Sequence, residues 1–167
     1  MIAMLFREIV AGNPLAELIL GGMLLLLTAI VHGVGISAVV LTHERQLALE
    51  AAHMRHHPLA AFSLLIVVLL STHLVEIFLW AMLFAEIGAI GDLRTAFYFS
   101  LVTYTTLGYQ DVHFPPEYRI LPAMLALAGV FMIGWTTGTL FAVTNGVIQS
   151  HMKRRLEREA GRRARGA

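Results

Sequence analysis

Apolar residues in this chain do not alternate with polar ones; they run on, and the few charges mark where each run stops. Between Glu17 and Glu44 lie 26 residues, Leu18 to His43, with no Asp, Glu, Lys or Arg. Leu59 to Phe84 is again apolar, interrupted only by His73 and Glu76. Ile120 to His151 carries no formal charge beyond what His151 can take up. A helix rising about 1.5 Å per residue needs roughly 20 residues to cross the hydrocarbon core, and each run is longer than that. The pattern predicts three transmembrane helices.

The joint between the second and third runs, Gly88 to Tyr118, reads differently. Asp92 is a natural N-cap for the short apolar stretch Leu93 to Thr105. A helix of about 12 residues would be about 18 Å long, too short to span. It leads into Leu107-Gly108-Tyr109-Gln110-Asp111 and then Pro115-Pro116. A short helix followed by extended, Gly-containing backbone at membrane depth predicts a re-entrant loop, which is tolerated where protein buries it or where it lines a wet cavity.

Composition agrees with this reading. Of 167 residues, 57% are hydrophobic and 14% charged, against about 45–50% and about 25% in soluble domains. Mean hydropathy is +0.73. This composition argues against a water-soluble enzyme, a disordered tail and a basic nucleic-acid module, so no nucleic-acid partner is expected. The absence of cysteine rules out disulfides and thiolate metal sites. Net charge is only +1, so placement matters more than the total. Nine of the twelve basic residues sit in the first connecting loop (Arg45, Arg55) or after His151 (Lys153, Arg154, Arg155, Arg158, Arg162, Arg163, Arg165). The positive-inside rule then puts that loop and the C-terminus in the cytoplasm, with the N-terminus and the re-entrant loop outside a plasma membrane. No small-residue cleavage site precedes the first run, so a cleaved signal peptide is not expected. The expected organisation is an interfacial segment over 1–17, with a short amphipathic helix across Met1–Gly12; a peripheral transmembrane helix over 18–42; a cytoplasmic loop over 43–58; a pore domain over 59–148; and a basic tail over 149–167.

Thr103-Tyr104-Thr105-Thr106-Leu107-Gly108-Tyr109-Gln110-Asp111 resembles the T-x-T-T-V-G-Y-G-D signature of the pore-loop potassium channel superfamily. Ala96-Phe97-Tyr98-Phe99-Ser100 resembles the aromatic pore helix of that superfamily, and Ala126-Leu127-Ala128-Gly129-Val130 its inner helix around the gating glycine, at a slightly shorter spacing from the Asp. The resemblance spans roughly Leu59 to Asn145. It implies an all-α membrane protein: three transmembrane helices plus a re-entrant pore helix and selectivity-filter loop, assembled as a homotetramer in membrane lipid. It implies potassium ions as the permeant ligand, held at Thr106, Leu107, Gly108 and Tyr109, with Gln110 at the outer mouth and Thr105, Asp111, Tyr98 and Phe99 as supports. No catalysis and no other cofactor are expected.

The chemistry stands beside the resemblance. A potassium ion entering a narrow pore must exchange its hydration shell for closely spaced backbone carbonyls. Gly108 permits a backbone that a Cβ would obstruct, and Thr106 can add a hydroxyl. One chain supplies one loop, so a closed ring needs several copies, four in the family. Gln110 departs from the pattern, which has a second glycine there. In left-handed backbone it costs roughly 1–2 kcal/mol per subunit. Two outcomes stay open at this stage, a potassium-preferring pore with a reshaped outer site and a non-selective or sodium-conducting one.

Other residues carry both a functional and a structural reading. Glu76 lies inside the second run, near one helical face with Thr72, His73 and Trp80. It is either a titratable gate or a structural hydrogen-bond acceptor for His73 or the pore helix. His53, His56 and His57 have the H-x-x-H-H form of a membrane di-iron box, whereas His32, His43, His73, His113 and His151 are scattered singly. A His-metal membrane oxidoreductase is therefore the low-ranked rival, and a polar interface loop the default. Gly134 and Gly138 form a G-x-x-x-G spacing whose default role is close helix contact, with Gly129 and Gly134 as candidate hinges. Thr136, Thr137 and Asn145 are candidates to line a cavity. Lys153/Glu157 and Arg155/Glu159 at i,i+4 predict that the last helix continues into the tail. No Arg-repeat helix is present, so no voltage sensor of the usual kind is expected.

Overall fold

The computed structural model of the chain describes residues 10–51 and 58–165. From Pro14 onward, among the described residues, the α-helices are in order α1 (Pro14–Ala51), α2 (Pro58–Glu86), α3 (Leu93–Tyr104) and α4 (Ile120–Arg165), with a 3₁₀ turn at Pro116–Tyr118 before the last. Among the described residues there is no strand. Three stretches among the described residues are long and apolar enough to cross a membrane, Pro14–Thr42, Phe62–Glu86 and Ile120–Gln149. They correspond to the three predicted runs, and α3 is the short helix expected between the second and third. The interfacial helix expected over Met1–Gly12 falls almost wholly outside the described residues, and His53, His56 and His57 lie outside them too.

The helix ends follow from local chemistry. Pro14 opens α1 where its missing N–H costs nothing, and Asn13 Oδ1 accepts the Ala16 N–H at 3.3 Å. Glu17, one turn into α1 and 3% exposed, reaches across the bundle to accept the Ile120 N–H at 2.9 Å. The N-terminus of α4 is thus capped by a carboxylate from another helix, the charge that its dipole favours. The Gly12 N–H donates to the Glu117 carbonyl at 2.9 Å and ties the same two ends together. Asp92, in extended backbone, accepts the Thr95 N–H at 2.9 Å and caps α3, as predicted. At the far end α4 runs unbroken into the basic tail, also as predicted.

Burial concentrates where α2, α3 and α4 converge. Trp80, Ala81 and Phe84 of α2, Ala96 and Tyr104 of α3, and Leu121, Leu125, Ala128 and Met132 of α4 are all at most 1% exposed. A smaller cluster of Val39, Leu65, Leu69 and Val143 closes the other end of the bundle. The outward residues are as apolar as the inward ones: Leu26, Ile30, Val34, Leu70, Leu127, Phe131 and Phe141 are all exposed. That inversion suits a lipid surround, where contact quality and buried polar bonds order the helices. The first helix, expected at the periphery, lies along both α2 and α4, which touch each other over a much smaller stretch. Within the chain it is therefore part of the bundle.

Candidate pore loop and buried polar ring

The loop after α3 is built by hydrogen bonds that fold it back onto its own helix. Thr105 N–H donates to the Leu101 carbonyl at 3.1 Å and Thr106 N–H to Thr103 at 2.9 Å. Leu107 and Gly108 N–H both reach the Val102 carbonyl, at 2.9 and 3.2 Å. The last carbonyls of α3, otherwise orphaned, are thereby satisfied. With those N–H groups spent, the loop has its carbonyl oxygens left to present; among the described residues none of those from Thr106 to Tyr109 accepts a hydrogen bond.

Backbone handedness alternates along the same stretch. Thr106, Gly108 and Gln110 have φ of 58°, 58° and 59°. Sign changes at every second residue turn successive peptide planes the same way, whereas a uniform strand would point them to opposite sides. Gly108 takes this conformation without strain. Gln110 does adopt the left-handed backbone on which its cost was conditional, and Thr106, a β-branched residue, adopts it as well. Each costs roughly 1–2 kcal/mol relative to relaxed backbone, and such strain tends to be held at functional loops.

Tyr98, Phe99 and Asp111 lie beside the loop. Tyr98 OH donates to Asp111 Oδ2 at 2.7 Å, tying the middle of α3 to the loop's outer end. That bond, reinforced by the negative charge on Asp111, holds the Tyr98 hydroxyl above its ordinary pKa. Phe99 stacks on Phe114 with ring centroids 4.9 Å apart and meets Phe84 edge-on at 5.7 Å. Leu107 and Tyr109 point outward, 55% and 64% exposed.

Beneath the loop lies a second constellation. Glu76 is fully buried. Its Oε2 accepts from the Tyr104 hydroxyl at 2.5 Å, and its Oε1 meets His32 Nδ1 at 2.8 Å. Tyr104 OH meets His73 Nδ1 at 2.7 Å, His73 Nε2 meets Thr136 Oγ1 at 2.9 Å, and Thr136 Oγ1 meets His32 Nε2 at 3.3 Å. The contacts close a ring: Glu76, His32, Thr136, His73, Tyr104 and back to Glu76. Four helices contribute. The expected bond from Glu76 to the pore helix is present, through Tyr104. His73 contacts that carboxylate at 3.6 Å, too long for a direct hydrogen bond, and joins it through Tyr104.

Two of the histidines read as solitary, His32 and His73, are ring neighbours with centroids 5.2 Å apart. They stand 41 positions apart on different helices. No periodicity within one helix links them, so the sequence held no signal for their meeting beyond both being polar in apolar runs. Of the other neighbours proposed for Glu76, Trp80 packs on Phe84 and Thr72 donates to the Val68 carbonyl, so neither joins the ring. Thr137 donates to its own helix at Ile133.

His32, His73 and Glu76 hold potential metal-ligand atoms within 4.8 Å of one another. Their partners decide against that reading. Every ring nitrogen and both carboxylate oxygens already face a hydrogen-bond partner at 2.5–3.3 Å, so a cation would have to displace the bonds that join the helices.

Gly129, a candidate hinge, faces the end of α3. A Cβ there would collide with the Tyr104 carbonyl oxygen and lie 2.8 Å from its carbon and 3.0 Å from the ring Cγ. Gly134 has open space at the same test. The close approach of α4 to the base of the loop therefore requires the first glycine and not the second.

A family model described as "Ion channel" matches residues 64–145, that is, 82 of the 167 residues. The match takes in nearly all of the apolar part of α2, the whole of α3 and its loop, and α4 as far as Asn145, and it supports a pore-loop channel of the type with two helices per pore unit. No curated protein and no solved structure matches the chain.

Proposed function

We propose that this protein is one subunit of a homotetrameric cation channel of the plasma membrane that prefers potassium. The channel character rests on the family match over residues 64–145. The observation that carries the ion preference is the loop itself: alternate left-handed residues at 106, 108 and 110, with N–H groups turned back onto α3. Carbonyls of Thr106, Leu107, Gly108 and Tyr109 then supply the dehydrated coordination that potassium needs. Four copies close the ring, and the outward Leu107 and Tyr109 become contacts with neighbouring copies or with the support behind them. Asp111, Tyr98, Phe99 and Thr105 hold the loop against α3. The basic loop and tail lie in the cytoplasm and the filter's outer mouth faces out.

Gln110 bears on a second reading. Its left-handed backbone puts a carboxamide at every corner of the outer mouth, and a site widened there would pass sodium as well. Purified protein in liposomes decides between the two, with potassium or sodium gradients and matched detergent-purified mass. The expected result is a tetrameric mass and flux that follows the potassium gradient. Equal permeability to the two ions overturns the preference, and absence of any ion flux from tetrameric protein overturns the channel.

A further inference from the structure

We propose that the ring of Glu76, His32, Thr136, His73 and Tyr104 is a binding site for one proton, and that this proton fastens the base of the pore loop to all three spanning helices. The ring has five contacts, from 2.5 to 3.3 Å, and each needs one hydrogen between its two heavy atoms. With Glu76 ionised and both imidazoles neutral, the ring owns four: one each on His32, His73, Tyr104 and Thr136. One contact is then empty, and the site carries an unbalanced negative charge in the middle of the bundle. A fifth proton fills the gap and neutralises the site together.

The fifth proton has three equivalent seats. On His32, both imidazole N–H groups donate outward, to Glu76 and to Thr136. On His73, they donate to Tyr104 and Thr136, while Thr136 turns its hydroxyl to His32. On Glu76, the carboxyl donates to His32 Nδ1 and every bond runs the same way round. A sixth proton has no contact left to fill and makes the site positive. Side chains that titrate separately in water therefore act here as a single one-proton unit. Burial enforces the count, since His32 and Glu76 are 0% and Tyr104 1% exposed, and an isolated charge there is expensive.

Among the described residues, the titratable groups in contact around the site are the ring's own: His32 from α1, His73 and Glu76 from α2, and Tyr104 from α3. Among the described residues α4 offers Thr136 and the Trp135 ring, which lies 5.3 Å from His32. His73, its side chain 14% exposed, and Thr136, also partly exposed, form the ring's edge, where the proton is exchanged.

Position gives the proton its consequence. Tyr104 is the last residue of α3, the loop begins at the next residue, and its carbonyl rests on Gly129 of α4. Losing the proton leaves Tyr104 and His32 donating to Glu76 but empties one of the three remaining contacts, Tyr104 to His73, His73 to Thr136 or Thr136 to His32. Raising the pH therefore loosens the ring on which the base of the loop rests.

Two variants and two readouts test this. Glu76→Gln supplies its carboxamide hydrogen to His32 and its oxygen to Tyr104, so it fills all five contacts with no proton to lose. ¹⁵N-histidine NMR of the full-length protein across a pH titration should show His32 and His73 responding together, in one single-proton step, and the step should vanish in Glu76→Gln. Separate midpoints for the two histidines, or a step that survives in Glu76→Gln, overturn the site. A loss of those signals on adding zinc alone, restored by chelator, would make it a metal site and also overturn it. These readouts do not depend on ion flux, so they stand or fall apart from the channel reading. Potassium flux in liposomes should follow the same step in the parent and become flat in Glu76→Gln. Tyr104→Phe cuts the tie to α3 while leaving Glu76 and both histidines: flux that still tracks the proton in that variant overturns the coupling.

Discussion

Gly129→Ala and Gly134→Ala are expected to have opposite effects on stability. Both glycines lie inside an unbroken α4, where replacing Gly by Ala gains about 1 kcal/mol of helix propensity. At Gly134 nothing stands within 4 Å of the new methyl, so that gain is kept. At Gly129 the methyl meets the Tyr104 carbonyl group, with the carbon at 2.8 Å where ordinary contact begins near 3.4 Å. The obstacle is backbone at the end of a capped helix, held from the other side by the ring and by the returning N–H groups of the loop, so no flexible side chain can yield. Overpacking of this kind costs about 1–3 kcal/mol and sometimes more. With unyielding backbone as the obstacle the cost lies in the upper part of that range, about 2–3 kcal/mol. After the propensity gain, Gly129→Ala is destabilised by about 1–2 kcal/mol per subunit, while Gly134→Ala is stabilised by up to about 1 kcal/mol. Thermal unfolding in detergent, followed by tryptophan fluorescence at matched concentrations, measures both. A Gly129→Ala protein as stable as the parent would refute the contact argument. Two variants of equal stability, both altered in gating, would instead make these glycines hinges.

Three further outcomes follow from the same contacts. Glu17→Ala removes the buried acceptor of the Ile120 N–H and should cost about 1–3 kcal/mol in the same unfolding assay; Glu17→Gln keeps an acceptor and should lose less, and equal losses would show that charge alone matters. Asp92 is held below the usual carboxylate range, chiefly by the Thr95 backbone N–H and secondarily by its hydroxyl; its capping contribution is therefore present at neutral pH and disappears as pH falls through its lowered native pKa. Asp92→Ala should accordingly unfold earlier than the parent at neutral pH and converge with it in acid, and a gap that persists in acid would contradict the cap. Gln110→Gly removes roughly 1–2 kcal/mol of left-handed strain per subunit and should sharpen discrimination of potassium against sodium in reversal-potential measurements; unchanged discrimination would mean that the outer site plays no part in selection.

The bundle was legible in the sequence because lipid imposes length. Runs of more than 20 apolar residues, with charges at their ends, leave few alternatives to spanning helices. The cap at Asp92, the short α3 and the extension of α4 into the tail were readable for local reasons: an acceptor before a helix start, an exit containing Gly108 and then Pro115-Pro116, and i,i+4 charge pairs. What the sequence did not disclose was the meeting of helices. Glu17 on Ile120, His32 on Glu76 and Thr136 on His73 are contacts between residues 103, 44 and 63 positions apart. Nothing local marks a partner at such distances. The available hint was that each is a polar residue where lipid would exclude it, and a polar residue in such a place has to find another. The left-handed backbone at Thr106 was equally hidden, since a β-branched residue argues against it.

The same need of buried polar groups for partners accounts for α1 being built into the bundle. The outer face of α2 carries Glu76 and His73 at its middle, and α4 presents Thr136 at the same level. Without a third spanning helix those groups would look out on hydrocarbon, where each unsatisfied polar atom costs several kcal/mol. Leu18 to Thr42 closes that face, and His32 is the residue with which it does so, bonded to Glu76 on one nitrogen and facing Thr136 with the other. An apolar residue at position 32 would shield the site but leave Glu76 Oε1 unpaired. A polar one without two opposed hydrogen-bonding nitrogens would leave the ring open. The additional helix and the buried acid therefore depend on each other: removing His32 should destabilise the parent far more than it destabilises a chain in which Glu76 is already Gln. A double-mutant cycle between positions 32 and 76 that gave simple additivity would separate the helix from the acid and undo this account.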